Sequence, residues 1–310
     1  MIYFITIGKH HIIPALICVK TLKALNKNKI IIAGNLAPHD KKKFTALGAE
    51  YIDENDINLK DRFPAISWNE KYRNSGWYKQ QFLRLSIDRY IKEDLVFILD
   101  SEFFPFSNWD ESRFFEPDRK PRYLHWISSQ RKPDWDYKMY RGAAYLLAGL
   151  PECKEIMTYA NSDNYQRHIS GVQIFSTKNL AHLWSRLTKE TDLELNLHTL
   201  FNKSDLAFSD YDFYGMANTF NLFEKITPTA TYNNLLGWYD VHDDHIFNQF
   251  KSDAMWSMCQ RYPEYPTEHS YYKYMKNIAS MLGREVIKIP VKHNFSKKII
   301  GQFIRKIFEF

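Results

Sequence analysis

The sequence predicts an α/β fold: a mixed, mostly parallel sheet flanked by helices, with an amphipathic helix at the C-terminus. Three observations carry this expectation. Strand-like and helix-like segments alternate through the first hundred residues, the pattern of repeated βα units. The strand candidates at 2–8, 29–34 and 94–101 carry short, mostly apolar runs, as expected of strands covered on both faces. The last sixteen residues repeat apolar side chains at helical spacing with basic ones between them.

Taken in order, "IYFITIG" (2–8) reads as a buried strand and residues 13–26 as a helix, with Pro14 tolerated near its start. "KIIIAG" (29–34) is a second strand. Residues 38–47 form a helix opened by Pro38 and stopped by Gly48. "AEYIDE" (49–54) is a third strand, residues 76–92 a helix, and "DLVFILDS" (94–101) a fourth strand. The second half is less regular. It offers a strand at 170–177, helices at 179–190 and 268–282, and a late strand at 284–291.

With 310 residues, 45% hydrophobic and 25% charged, the chain reads as an ordinary globular protein with ample core. It divides into a domain over 1–292 and a tail over 293–310, with no Ser/Gly linker, internal repeat or low-complexity segment. The net charge of +6 favours anionic partners. No run of like charges indicates a nucleic-acid tail. Cys18, Cys153 and Cys259 fit neither a disulfide framework nor zinc spacing, which predicts a reducing cytoplasm. The start, "MIYFITIGKHH", predicts no secretory signal. No apolar run approaches the roughly 20 residues of a spanning helix.

The chemistry concentrates where "LVFILDSEFF" runs its apolar strand into Asp100 and Glu102. Ligands of parallel sheets bind beyond the carboxyl ends of the strands. On an extended backbone, residues two apart point the same way. Two hard oxygen ligands there suit Mg²⁺ or Mn²⁺ held against a diphosphate. The alternative is a turn cap at Asp100 and a solvated Glu102. Upstream, "SGWYKQQFLRLSIDRY" (75–90) sets Phe82, Leu83, Leu85, Ile87 and Tyr90 toward a core. Gln80, Arg84 and Asp88 share another stripe, flanked by Lys79 and Gln81. These groups suit the polar atoms of a nucleotide sugar, and the plainer reading is a surface Arg84–Asp88 pair.

The segment "GWYKQQFLRL", then "LVFILDSEFF", then "SDYDFYG" (209–215) resembles a family of bacterial proteins with a GT-A glycosyltransferase fold. Those proteins carry a Gly-Trp-Tyr-x-Gln-Gln helix, an Asp-x-Asp-like strand end and a Ser-acidic-Tyr segment followed by Tyr-Gly. The resemblance spans roughly residues 1–250, with Glu102 standing where a second Asp is usual. It implies a GT-A-like, Rossmann-type sheet and a glycosyltransferase. The donor would be a nucleotide-diphospho-sugar and the acceptor a lipid-linked or cell-surface glycan, of lipopolysaccharide or capsule type.

The resemblance makes Asp210 the first candidate for the general base, with Asp212 beside it. Ser209 and Asp212 also fit a helix capping box. In "GWYDVHDDHI" (237–246), His242 or His245 would supply a further ligand for the divalent cation, alongside Asp100 and Glu102. Lys79, Gln80, Gln81, Arg84 and Asp100 would engage donor or acceptor, and Gly171 would let a ligand approach the backbone. Trp126, Arg131 and Trp135 suit sugar stacking or a phosphate grip, though a loop with half-buried aromatics explains them as well.

In "FSKKIIGQFIRKIFEF" (295–310), Ile299, Ile300, Phe303, Ile304, Ile307 and Phe308 form one face and Lys297, Lys298, Arg305 and Lys306 the other. Such a helix lies in an anionic membrane interface or docks on its own domain. The expectation is peripheral binding on the inner face of a bacterial cytoplasmic membrane. Two rival functions remain at this level: a sugar nucleotidyltransferase, and a non-catalytic membrane-associated glycan-binding module.

Overall fold

All four strands expected in the first hundred residues form, and they pair side by side in one sheet. The computed structural model describes residues 1–8, 11–27, 29–63, 75–105, 109–128, 135–162, 165–168, 171–223, 228–231 and 256–258. The chain begins β1 (Ile2–Ile7), α1 (Ile12–Ala24), β2 (Ile30–Gly34), α2 (Pro38–Ala46), β3 (Glu50–Asp53), α3 (Ser75–Arg84) and β4 (Leu95–Leu99). There follow β5 (Phe103–Pro105), β6 (Tyr123–Ser128), α4 (Trp135–Leu147), α5 (Ile156–Ala160), β7 (Tyr165–Arg167) and β8 (Val172–Ser176). The described chain continues through α6 (Thr177–Glu190), α7 (Leu193–Asn202), α8 (Asp210–Thr219), β9 (Pro228–Thr231) and β10 (Trp256–Met258).

The main sheet runs β3-β2-β1-β4-β8. The first four strands are parallel, and β8 closes the edge antiparallel to β4. This is the mixed, mostly parallel, helix-flanked sheet that the apolar runs predict. Two small sheets join β5 to β10 and β6 to β7 and β9.

Period-two alternation sends β1 into two cores. Ile2 and Phe4 pack with Val96, Ile98 and the side chains of α3, α4, α6, α7 and α8. Tyr3, Ile5 and Ile7 pack with Phe97, Leu99 and the side chains of α1 and Phe44 of α2. The chain therefore winds outward through β1, β2 and β3 with α1 and α2 on one face. It then crosses by α3 on the other face to lay β4 beside β1. That reversal falls between β1 and β4, and the carboxyl ends of the strands there are the usual ligand position in such sheets.

Several expectations change. The helix expected over 76–92 ends at Arg84, and Ile87–Arg89 form a separate single 3-10 turn. The break has a cause: the Leu83 carbonyl accepts from the Tyr90 hydroxyl, and the Leu85 carbonyl accepts from Trp184 Nε1 at 2.7 Å. Asp88 therefore leaves the stripe it shared with Gln80 and Arg84. It takes a two-pronged bond from Arg62, 2.7 Å at each nitrogen, so the Arg84–Asp88 pair does not form.

The second half is more helical than its sequence pattern suggests. Helices α6, α7 and α8 are each started by a side-chain cap, from Ser176, Asp192 and Ser209. The expected helix at 268–282, strand at 284–291 and basic tail at 293–310 lie outside the described residues. Among the described residues no helix is long and apolar enough to cross a membrane.

Candidate active site at the carboxyl ends of β1 and β4

Thr6 is the one aliphatic hydroxyl in the apolar run of β1 and is 1% exposed. It sits near the strand's carboxyl end and accepts a hydrogen bond from Arg84 Nε at 2.7 Å. Arg84, at the last position of α3, is itself 5% exposed. Its Nη2 meets the Asp100 carboxylate at 2.6 Å and its Nη1 faces Asp210 at 3.5 Å. The Tyr211 ring lies under the guanidinium, 5.4 Å from its centroid, and the Tyr211 hydroxyl donates to Asp100 at 3.3 Å. The neighbouring Gln81 accepts the Asp210 backbone N–H at 2.7 Å, tying α3 to the first turn of α8.

Asp100 is anchored from the other side as well. Its backbone N–H donates to the Gly171 carbonyl at 3.0 Å, extending the β4–β8 ladder by one bond. Gly171 has φ +70°, a conformation that only glycine takes without strain. The expected glycine next to the site is thus present, and it acts by fixing the backbone at Asp100.

The extended backbone expected at 100–102 is instead a turn, in which Phe103 N–H donates to the Asp100 carbonyl at 3.0 Å. The spacing argument for Asp100 and Glu102 pointing together therefore fails. Asp100 faces Arg84 and Tyr211. Glu102 pairs with His11 at the start of α1 and accepts from the Ser101 hydroxyl at 3.0 Å. Asp100 keeps 19% side-chain exposure at the rim, against 10% for Glu102.

Lys79 and Gln80 occupy the adjoining rim. Lys79 Nζ pairs with Glu54, just past β3, at 2.6 Å. Gln80 Nε2 lies 2.9 Å from the point a Cβ on Gly8 would occupy, so it covers the end of β1.

Helix α8 is buried from Asp210 through Asn218. The cap predicted at Ser209 forms, its hydroxyl accepting the Asp212 N–H at 3.2 Å. The Asp212 carboxylate accepts from the His168 N–H at 2.8 Å and faces Arg167 Nε at 3.3 Å. It is wholly buried on a different side of α8 from the Arg84 cluster. Burial lifts the Asp210 carboxyl to about 7; the nearby Arg84 charge opposes the rise and the Asp100 charge adds to it.

The fold thus gathers Gln81, Arg84, Asp100, Gly171 and Asp210 into one cluster, with Lys79, Gln80 and Glu102 on its margins and Asp212 behind. His242, His245 and Arg131 lie outside the described residues, as do the side chains of Trp126 and Trp135. Thr6, His11 and Tyr211 were missed in the sequence. A threonine in an otherwise apolar strand was the available signal for Thr6, and the aromatic between two aspartates was the signal for Tyr211. Among the described residues no group of three or more His, Cys, Asp or Glu gathers to hold a metal ion.

Residues 17–277 match the model of a family described as a family of unknown function, DUF6492. No curated protein matches the chain by sequence. Among solved structures the chain is similar to the galactosyltransferase LgtC in complex with donor and acceptor sugar analogues. Identity there is 12%, 97% of this chain and 100% of that chain are covered, and the TM-score is 0.46. It is also similar to core-mannan synthase A (CmsA/Ktr4) of Aspergillus fumigatus in its Mn/GDP form, at 14% identity, 69% and 68% coverage and TM-score 0.44. Mouse xyloside xylosyltransferase 1, without ligand, gives 13% identity, 86% and 99% coverage and TM-score 0.44. No residue role is transferred from these three.

Proposed function

We propose that this chain, which belongs to the DUF6492 family, is a glycosyltransferase that moves a sugar from a nucleotide-diphospho-sugar to a lipid-linked or cell-surface glycan. One observation supports this above the rest. Three segments far apart in sequence, around Arg84, Asp100 and Asp210, meet at the carboxyl ends of β1 and β4 through bonds of 2.6 and 3.5 Å from one guanidinium. These are the segments that carry the family resemblance, and they meet where a sheet of this winding binds ligands.

In this reading Asp100 faces the donor diphosphate from the rim. Gln80 and Lys79 line the adjoining edge and orient the donor. Asp100 and Glu102 both offer carboxylate oxygens of the kind a hard cation takes, but Asp100 turns to Arg84 and Glu102 to His11, so the two do not form one cation site as they stand. Mn²⁺ or Mg²⁺ would therefore rest on Asp100 at the rim, with His242 or His245 as its further ligand. The ion's part would be to offset charge on the departing diphosphate. The basic amphipathic tail would keep the enzyme on the cytoplasmic membrane face, beside lipid-linked acceptors.

A thermal-shift screen of the full chain against nucleoside diphosphates, with and without MnCl₂, tests the reading. A bound donor product raises the melting temperature by mass action. One nucleotide class should stabilise the protein, and the matching nucleotide sugar should be consumed, releasing free nucleoside diphosphate. Release of pyrophosphate would indicate a nucleotidyltransferase. No nucleotide binding at all would overturn the proposal. Chelation by EDTA should remove both the shift and the turnover; turnover that survives it would remove the metal alone.

Asp210 is the proposed base; its side chain is 3% exposed, so the acceptor hydroxyl would have to reach it past the more open Asp100, and a base must be ionised to accept the acceptor's proton. Turnover should therefore climb with pH through about 7, where burial has placed this carboxyl. Asp210→Asn should abolish that limb and lower turnover by about 100-fold or more. An unchanged profile in the variant would assign Asp210 to structure only. For stability the sign is reversed. The folded state holds this proton more tightly than the unfolded chain, where the pKa is about 4. Its stabilising contribution is full below that value and is lost as pH rises through about 7.

A further inference from the structure

We infer that Arg84 is a positioning residue that acts through Asp100 and Asp210 and does not touch a substrate. The inference rests on the transferase reading and assigns one of its residues a different task from the one its sequence suggests. All three nitrogens of the guanidinium and one of its planar faces are already engaged. Nε donates to Thr6 at 2.7 Å, Nη2 to Asp100 at 2.6 Å, Nη1 faces Asp210 at 3.5 Å, and the plane rests on Tyr211. Only 5% of the residue is exposed, while Asp100 in front of it keeps 19% of its side chain open. A substrate at the rim therefore meets Asp100 first, with Arg84 behind it.

The arrangement has two consequences. The first is charge: one buried cation serves two carboxylates, so removing it leaves two carboxyl groups close together in a poorly solvated place where ionising both is costly. The second is direction. Thr6 fixes the fork against β1, the fork fixes one oxygen of Asp100, and the Tyr211 hydroxyl reaches the same oxygen at 3.3 Å. A lysine would restore the charge but not the fork, because a single ammonium cannot hold three partners in one plane.

Two experiments on the full-length protein test this. Arg84→Met should lower the melting temperature by about 10 °C, the scale for orphaning buried charge. Asp210→Asn in that background should recover at least half of the loss, because one carboxylate then remains and lies at the partly open rim. Recovery of none would mean that Arg84 supplies shape and not charge, and would overturn the shared-counter-ion account. Arg84→Lys, assayed with the nucleotide sugar that the wild type consumes, should lower kcat by about 100-fold, the scale of a misplaced catalytic group. The donor KM should stay within threefold of wild type.

A tenfold or larger rise in KM with kcat retained would make Arg84 a donor ligand and overturn the inference. Unchanged kcat and KM would overturn it as well. If the wild type consumes no nucleotide sugar, the transferase reading falls and the catalytic part of this inference falls with it. The melting cycle still decides separately whether Arg84 is the shared counter-ion.

Discussion

Asp100→Asn is expected to lower nucleotide-sugar turnover by about 100- to 1,000-fold, the usual cost of deleting one preorganised charged contact at a reacting centre. The melting temperature should stay within a few degrees of wild type. The second half of this expectation is the unusual one, because Asp100 pairs with a buried arginine at 2.6 Å. Arg84 still faces Asp210 at 3.5 Å in the variant, so the buried cation keeps a counter-charge. The amide can still accept from an arginine nitrogen and from the Tyr211 hydroxyl. The backbone bond from residue 100 to the Gly171 carbonyl does not depend on the side chain. Asp100 is therefore separable from the fold in a way that Arg84 is not. Normal turnover in a folded Asp100→Asn protein would remove the rim carboxylate from the mechanism.

Gly215→Ala is expected to destabilise the protein by about 3 kcal/mol or more, at the upper end of the cost of overpacking. A Cβ on Gly215 would overlap the His168 ring. The ring has little room to yield. His168 is 1% exposed, its N–H donates to Asp212 at 2.8 Å, and its carbonyl accepts from Gln173 at 3.0 Å. The helix cannot yield easily either, since residues 210–218 are all buried. Movement of α8 would also carry Asp210 and Tyr211 away from Arg84, so turnover should fall together with stability. His168→Ala placed in the Gly215→Ala background frees the space and should restore part of the melting temperature. A Gly215→Ala protein as stable as wild type would refute the close approach of α8 to His168.

Much of the fold was legible because its signals are local. Mostly apolar runs marked β1, β2 and β4, and short apolar–polar runs marked β3 and β8. Pro38 opened α2, and Ser209 capped α8 through the Asp212 N–H. The limit of α3 was not legible. Its last carbonyls are taken by Tyr90 and by Trp184, the second a hundred residues away in sequence, and no local pattern announces such partners. Local reasoning failed for the same reason at 100–102. An apolar strand predicts extended backbone beyond its end, whereas the chain turns there through a bond from Phe103 to Asp100.

The sequence by itself predicted a helix-flanked, mostly parallel sheet and marked Lys79, Gln80, Gln81, Arg84, Asp100, Glu102, Gly171, Asp210, Asp212, His242 and His245 as the residues of interest. Side-chain periodicity and backbone caps depend on neighbours within a few positions, and these are written in the chain. Only the tertiary structure decided the partners: Arg84 with Thr6, Asp100 and Asp210; Glu102 with His11; Asp212 with Arg167 and His168. Charge pairing in a buried cluster depends on which elements the winding of the sheet brings face to face. That winding joins residues 6, 84, 100 and 210, whose sequence separation gives no hint of contact.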